Sequence, residues 1–272
     1  MARFAPTIHG PLVMRPLRQL LLLLLVLLAG IWLIWPTAHA PSGLVIHVAA
    51  SLRRPIQTIC DAFTAQTGIA CELRFGGSQM LLSQIEQTGQ GDIFLPADDS
   101  YLQLPSAVPL IRERIPITQM RAVVAVRADA GNVPRQWSEL VAAPRRLALA
   151  EPKLAAIGKR TQDELTRSGH WPALAKRLVI TTPTVLDSAT AIELGTVDAG
   201  IVWDAVVRQL PTLTAIELPE LAPISAQVDV AVLQTTTQPE SATRLAQWIA
   251  TAPAARSIWT AAGFPLREMP QP

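Results

Sequence analysis

The sequence predicts an α/β protein of two lobes joined by two strand-like crossings. After residue 43, short apolar runs rich in β-branched residues alternate with helix-length amphipathic segments, the grammar of βαβ units and a parallel sheet. The alternation pauses near 117–126, restarts, and pauses again near 221–230 before a last strand and two helices. A chain of 272 residues, half of them hydrophobic, is long enough to bury two cores.

The elements follow in order. "LVIHVA" (44–49) is a strand, and Leu52, Ile56, Ile59 and Phe63 then recur at helical spacing, predicting a helix near 53–66. "CELRF" (71–75), a helix near 79–88 and "DIFLPA" (92–97) complete the first series. The second series runs through a helix near 137–141, "RLALA" (146–150), a helix near 156–168, "RLVITT" (177–182), a helix near 185–194 and "AGIVW" (199–203). "VDVAVLQ" (228–234) and helices near 239–250 and 253–261 return to the first lobe. Pro134, Pro144, Pro152 and Pro183 fall at element boundaries. The expected division is therefore a leader at 1–40, lobe 1 at 41–120, lobe 2 at 121–224 and a return segment of lobe 1 at 225–272. The two crossings would form a hinge.

The leader sets the compartment. Arg3, Arg15 and Arg18 precede an unbroken apolar run from Leu20 to Trp35 and then "PTAHA", which reads as an export signal. Ala38-His39-Ala40 has the form of a cleavage site, yet Pro41 directly after it is a poor fit for a peptidase, so a retained membrane anchor is the alternative. The two cysteines, Cys60 and Cys71, both lie in the exported part and are expected to form a disulfide, with two buried thiols as the alternative. A formal charge of +2 without a Lys/Arg cluster argues against a nucleic-acid surface. Scattered histidines and the lack of ligand spacing argue against a metal cation.

The candidate site emerges from the turns. "AAS" (49–51) places small residues between a strand and a helix, where unpaired N–H groups and the positive dipole end attract anions. "FGGS" (75–78) has the same design, with Gly76 and Gly77 permitting close approach. Ser51 and Ser78 are expected at the two helix N-caps, and simple capping is the competing explanation for each. "EPKLAAIGKRTQDEL" (151–165) and "TTPTVLDSATAIELG" (181–195) supply two more such turns in the second lobe. In an open parallel sheet these turns gather at the carboxyl ends of the strands. Asp92, Asp98 and Asp99 have no accompanying nucleophile or metal motif, so no enzyme is predicted.

Six segments, in order and spacing, carry a family resemblance over roughly residues 44–265: "AASL", "TGIACELRFGGS", "QIEQTGQGDIFLPADDSYL", "EPKLAAIGKR", "DAGIVW" and "AAGF". The chain resembles the periplasmic molybdate-binding proteins, the solute-binding components of ABC importers. The resemblance implies a type II periplasmic-binding fold, no cofactor, a monomer, and molybdate or tungstate as ligand for delivery to an inner-membrane permease. It also implies that Ser51 and Ser78 donate hydroxyl and amide hydrogen bonds, and that Ile157 and Val185 donate backbone amides. Family members often carry a tyrosine after "GIV"; this chain has Trp203, which can donate only through its indole N–H. That departure leaves open another oxyanion such as sulfate, or participation of Asp204, which is expected to turn away from an anion. A membrane-anchored oxyanion sensor and an enzyme on the same scaffold are the other readings. Arg53 and Arg54 are expected on a solvated helix face, and Trp137, Trp171, Trp248 and Trp259 in packing roles, each with an N–H partner.

Overall fold

The computed structural model describes residues 43–266 apart from Ala143, so the leader, its cleavage junction and the chain end lie outside the described residues. Strand β1 (Leu44–Ala49) is flanked by β2 (Cys71–Gly76) and β3 (Ile93–Leu95), both parallel to it. Antiparallel to β3 lies β9 (Ser225–Leu233), and antiparallel to β9 runs the 17-residue β4 (Ile111–Arg127). Up to Arg121, β4 pairs with β9; from Ala122 onward it pairs with β7 (Ala199–Trp203). Beyond β7 lie β5 (Leu147–Ala150) and β6 (Leu178–Thr182), parallel to one another, while β8 (Leu213–Ile216) pairs with the far part of β4.

The strand order is thus β2-β1-β3-β9-β4-β7-β5-β6, with β8 off this path. The change of partners between Arg121 and Ala122 divides the strands into two half-sheets joined by β4 and β9, the two-lobe α/β fold expected. The ladder does not break between the lobes but runs continuously through β4. A strand of 17 residues can serve both halves because each stretch of its edge needs a partner, and the partner changes as the strand leaves one core and enters the other.

The helices cover the sheets as their periodicity demands. Helix α1 (Arg53–Thr67) buries Ile56, Ile59 and Phe63 and stops at Gly68, whose φ of 73° only glycine adopts without strain. Helix α2 (Ser78–Thr88) buries Leu81, Leu82 and Ile85 and stops at Gly89 in the same way. The second half carries α3 (Trp137–Leu140), α4 (Ala156–Arg167), α5 (Trp171–Ala175), α6 (Val185–Glu193) and α7 (Asp204–Arg208). Helices α8 (Pro239–Thr251) and α9 (Pro253–Ala261) follow β9. Sequence periodicity had not indicated α5, α7 or β8, which are five, five and four residues long and too short to show a period.

Two polar details depart from expectation. Cys60 and Cys71 are free thiols. A hydrogen bond between them raises the Cys60 thiol pKa and lowers that of Cys71, to which the Thr64 hydroxyl also donates. They remain free thiols where α1 packs on β2, not a bonded pair. Among the described residues, the buried Trp248 Nε1 has no partner, whereas Trp259 Nε1 donates to the Ile249 carbonyl at 3.0 Å. Asp92 is structural: its carboxylate accepts from the Val45 amide at 2.7 Å and the Thr236 hydroxyl at 2.5 Å, tying β1 to the segment after β9.

Candidate ligand-binding cleft

The carboxyl ends of β1, β2, β5, β6 and β7 converge on a small cleft with an empty volume, mouth included, of about 220 Å³. Ser51 and Ser78 line it from one half; Ile157, Val185 and Trp203 line it from the other. The structure therefore brings all five sequence-predicted residues to one place. The lining carries no ionisable side chain, and among the described residues no group of His, Cys, Asp and Glu is placed to hold a metal ion.

Both serines are freed from the capping role expected of them. Ser51 sits inside a 3-10 turn, Ala50–Leu52, that leads directly into α1, and neither the turn nor the helix has a side-chain cap. The Ser51 hydroxyl is buried with no hydrogen-bond partner among the described residues. Leaving a buried hydroxyl unpaired costs about 1–3 kcal/mol, so it points to a use. Ser78 is the first residue of α2, after Gly77 at the N-cap. Its Oγ accepts from the Ala97 amide at 3.0 Å, which leaves its O–H free to donate.

The second half contributes amides. Helix α4 begins after Ala155 without a side-chain cap, so the first-turn N–H groups of Ala156 and Ile157 have no intrahelical acceptor. Gly158 lets this turn lie on the end of β5, since a Cβ there would meet the Ala150 carbonyl oxygen at 2.0 Å. Helix α6 starts with a capping box between Thr184 and Asp187, which leaves the Val185 amide on the cleft side unclaimed by the cap. Thr184 also lines the cleft. Sequence reading did not single it out, although the T-x-x-D spacing in "TVLD" was the available signal.

Trp203 ends β7 and is fully buried against the cleft. Its neighbour Asp204 is turned away, as expected, but is buried and not solvent-facing. Its carboxylate accepts from the Arg121 amide at 3.0 Å and the Ala205 amide at 2.9 Å, and pairs with Arg208 at 2.7 Å. Asp204 thereby clamps β4 at the residue where it changes partners. Arg53 stacks on the Phe75 ring, with its guanidinium carbon 4.0 Å from the centroid.

The two halves touch across the cleft. The Gln79 amide donates to the Leu154 carbonyl at 3.1 Å, the Arg54 guanidinium donates to the Gln209 carbonyl, and Arg160 of α4 forms a two-pronged pair with Asp98. A Cβ on Gly77 would lie 2.3 Å from the Leu154 carbonyl oxygen. Glycine is what permits this approach.

The sequence profile of the bacterial extracellular solute-binding proteins matches residues 44–265. The chain belongs to that family. Solute-binding proteins bind and release their ligands without transforming them, and no cofactor is implied. A molybdate-binding protein of Mycobacterium bovis is 26% identical over 233 residues, covering 84% of this chain and 86% of that protein. A Haemophilus influenzae binding protein is 24% identical over 161 residues, 59% of this chain, and the match spans 66% of that protein's length. Among solved structures, the periplasmic molybdate-binding protein of Azotobacter vinelandii superposes with a TM-score of 0.71 at 20% identity, covering 83% of this chain and 100% of that one. At that identity the superposition speaks to the fold. In this solute-binding protein, the cleft lies between two half-sheets joined by β4 and β9.

Proposed function

We propose that this protein is the solute receptor of an ABC importer, and that it captures a tetrahedral oxyanion, molybdate or tungstate, in the cleft. The observation that carries the reading is the Ser51 hydroxyl, buried on the cleft wall with no hydrogen-bond partner among the described residues. Ser51 and Ser78 donate their O–H groups to two ligand oxygens. The amides of Ile157 and Val185 donate from the opposite side, and the Trp203 indole N–H supplies a further donor. Oriented dipoles hold the anion without a full countercharge. Their hydrogen bonds strengthen as the closing halves expel water.

The relatives named for molybdate support the choice of ligand, and the lack of a carboxylate in the lining supports the exclusion of phosphate. Phosphate at neutral pH keeps a proton that needs an acceptor, and the cleft lining has no carboxylate to provide one. Sulfate remains the competitor, favoured by the bulk of Trp203. Capture takes place in the periplasm and delivery goes to an inner-membrane permease, with the leader either removed or retained as an anchor. Calorimetric titration of the purified protein with molybdate, tungstate, sulfate and phosphate tests the reading. Saturable heat with molybdate and tungstate, weaker heat with sulfate and none with phosphate is expected. No binding of any of the four overturns it.

A further inference from the structure

Asp98 follows Ala97, the cleft residue whose amide donates to Ser78 Oγ. Its carboxylate is 1% exposed and accepts from the Ser100 amide at 2.9 Å. Among the described residues, Asp98 meets no cation within its own half. Its countercharge comes from the opposite half, where Arg160 Nη2 donates to Oδ1 at 2.7 Å and Nε donates to Oδ2. Arg160 lies on α4 one turn beyond Ile157, which lines the cleft. The nearby acids are otherwise engaged, Asp163 with Lys159 and Asp99 with Gln103. A buried carboxylate beside a site built for an anion is an electrostatic liability unless it is neutralised.

We propose that Asp98 and Arg160 form a closure-coupled latch that positions Ser78 and Ile157 against the ligand and raises the affinity for any oxyanion without selecting among them. The inference rests on the oxyanion reading of the cleft. With the halves apart, the Asp98 charge stands unneutralised behind Ser78 and repels an incoming anion. Closure brings the guanidinium to it, removes the repulsion and ties the two walls of the site together. The fork geometry of Arg160 makes the pair directional, so it also fixes the angle at which α4 meets the first half. Neither residue lines the cleft, so both act through their neighbours.

The variants Arg160→Gln, Asp98→Asn and the double variant separate this role from direct contact with the ligand. Arg160→Gln leaves a buried charge beside the anion, so molybdate affinity should fall by about 10- to 100-fold, with sulfate falling in proportion. The double variant, which lacks both the pair and the stranded charge, should recover part of that loss. If Arg160 touched the anion, the double variant would be no better than Arg160→Gln, and that result overturns the latch. Unchanged affinity in Arg160→Gln overturns it as well. Wild-type protein is titrated first: if it binds none of the four anions, the oxyanion reading has failed. The latch is then judged by small-angle scattering without ligand. There Arg160→Gln should be more open than both wild type and the double variant, and identical scattering curves reject it.

Discussion

At the scale of the residue, the two serines look alike in sequence but differ in what they hold. Ser51 Oγ has no partner among the described residues, so Ser51→Ala removes a donor without stranding a described group. Oxyanion affinity should fall by roughly 10- to 150-fold while the melting temperature of the ligand-free protein stays level or rises. Ser78 Oγ accepts from the Ala97 amide, so Ser78→Ala strands a buried N–H. It should lose comparable affinity and about 1–3 kcal/mol of stability. Calorimetric melting and titration of both variants check the contrast; equal melting temperatures would show that the Ala97 bond carries no weight. The sequence marked both residues because small side chains at strand ends are a local signal. It assigned them to caps because it could not show that the 3-10 turn at Ala50–Leu52 rotates Ser51 out of the cap position.

At the scale of the element, β1 carries an imidazole through the core. His47 is fully buried, and its Nε2 lies 3.2 Å from the Gln90 carbonyl, which can only accept, so the proton resides on Nε2. Burial lowers its pKa below the ordinary 6.5, outweighing the opposing hydrogen bond to Gln90. Below 6.5 the unfolded chain therefore binds a proton that the folded chain resists. The neutral ring's contribution is complete above that pH and is lost as pH falls toward the folded value. His47→Gln keeps an N–H donor but cannot titrate. Between about pH 6.5 and 5 the wild-type melting temperature should fall more steeply than that of His47→Gln, and parallel curves would refute the assignment. The strand itself was legible from its β-branched run; the burial of its histidine depended on β2 and β3 closing over both sides.

At the scale of the molecule, function depends on two halves meeting, and Gly77 marks where they do. Its backbone is extended, with φ −71° and ψ 147°, so alanine fits the conformation but not the space. A Cβ would press on the Leu154 and Pro183 carbonyls of the other half, at 2.3 and 3.1 Å. Gly77→Ala should therefore fold yet fail to close, losing more than about tenfold in molybdate affinity. The thermal shift should report the same loss, since ligand at 100 times Kd stabilises wild type by about 2.7 kcal/mol and the variant by far less. A wild-type-sized shift would show that closure tolerates the methyl group. The sequence alone determined the α/β class, the order of the long elements and the small-residue turns, because periodicity and turn chemistry act between near neighbours. Only the tertiary structure decided that β4 serves both half-sheets, that Asp204 clamps it, that Cys60 and Cys71 meet as thiols, and that Asp98 finds its countercharge 62 residues away on Arg160. Those facts depend on which distant segments pack together, and no local spacing encodes them.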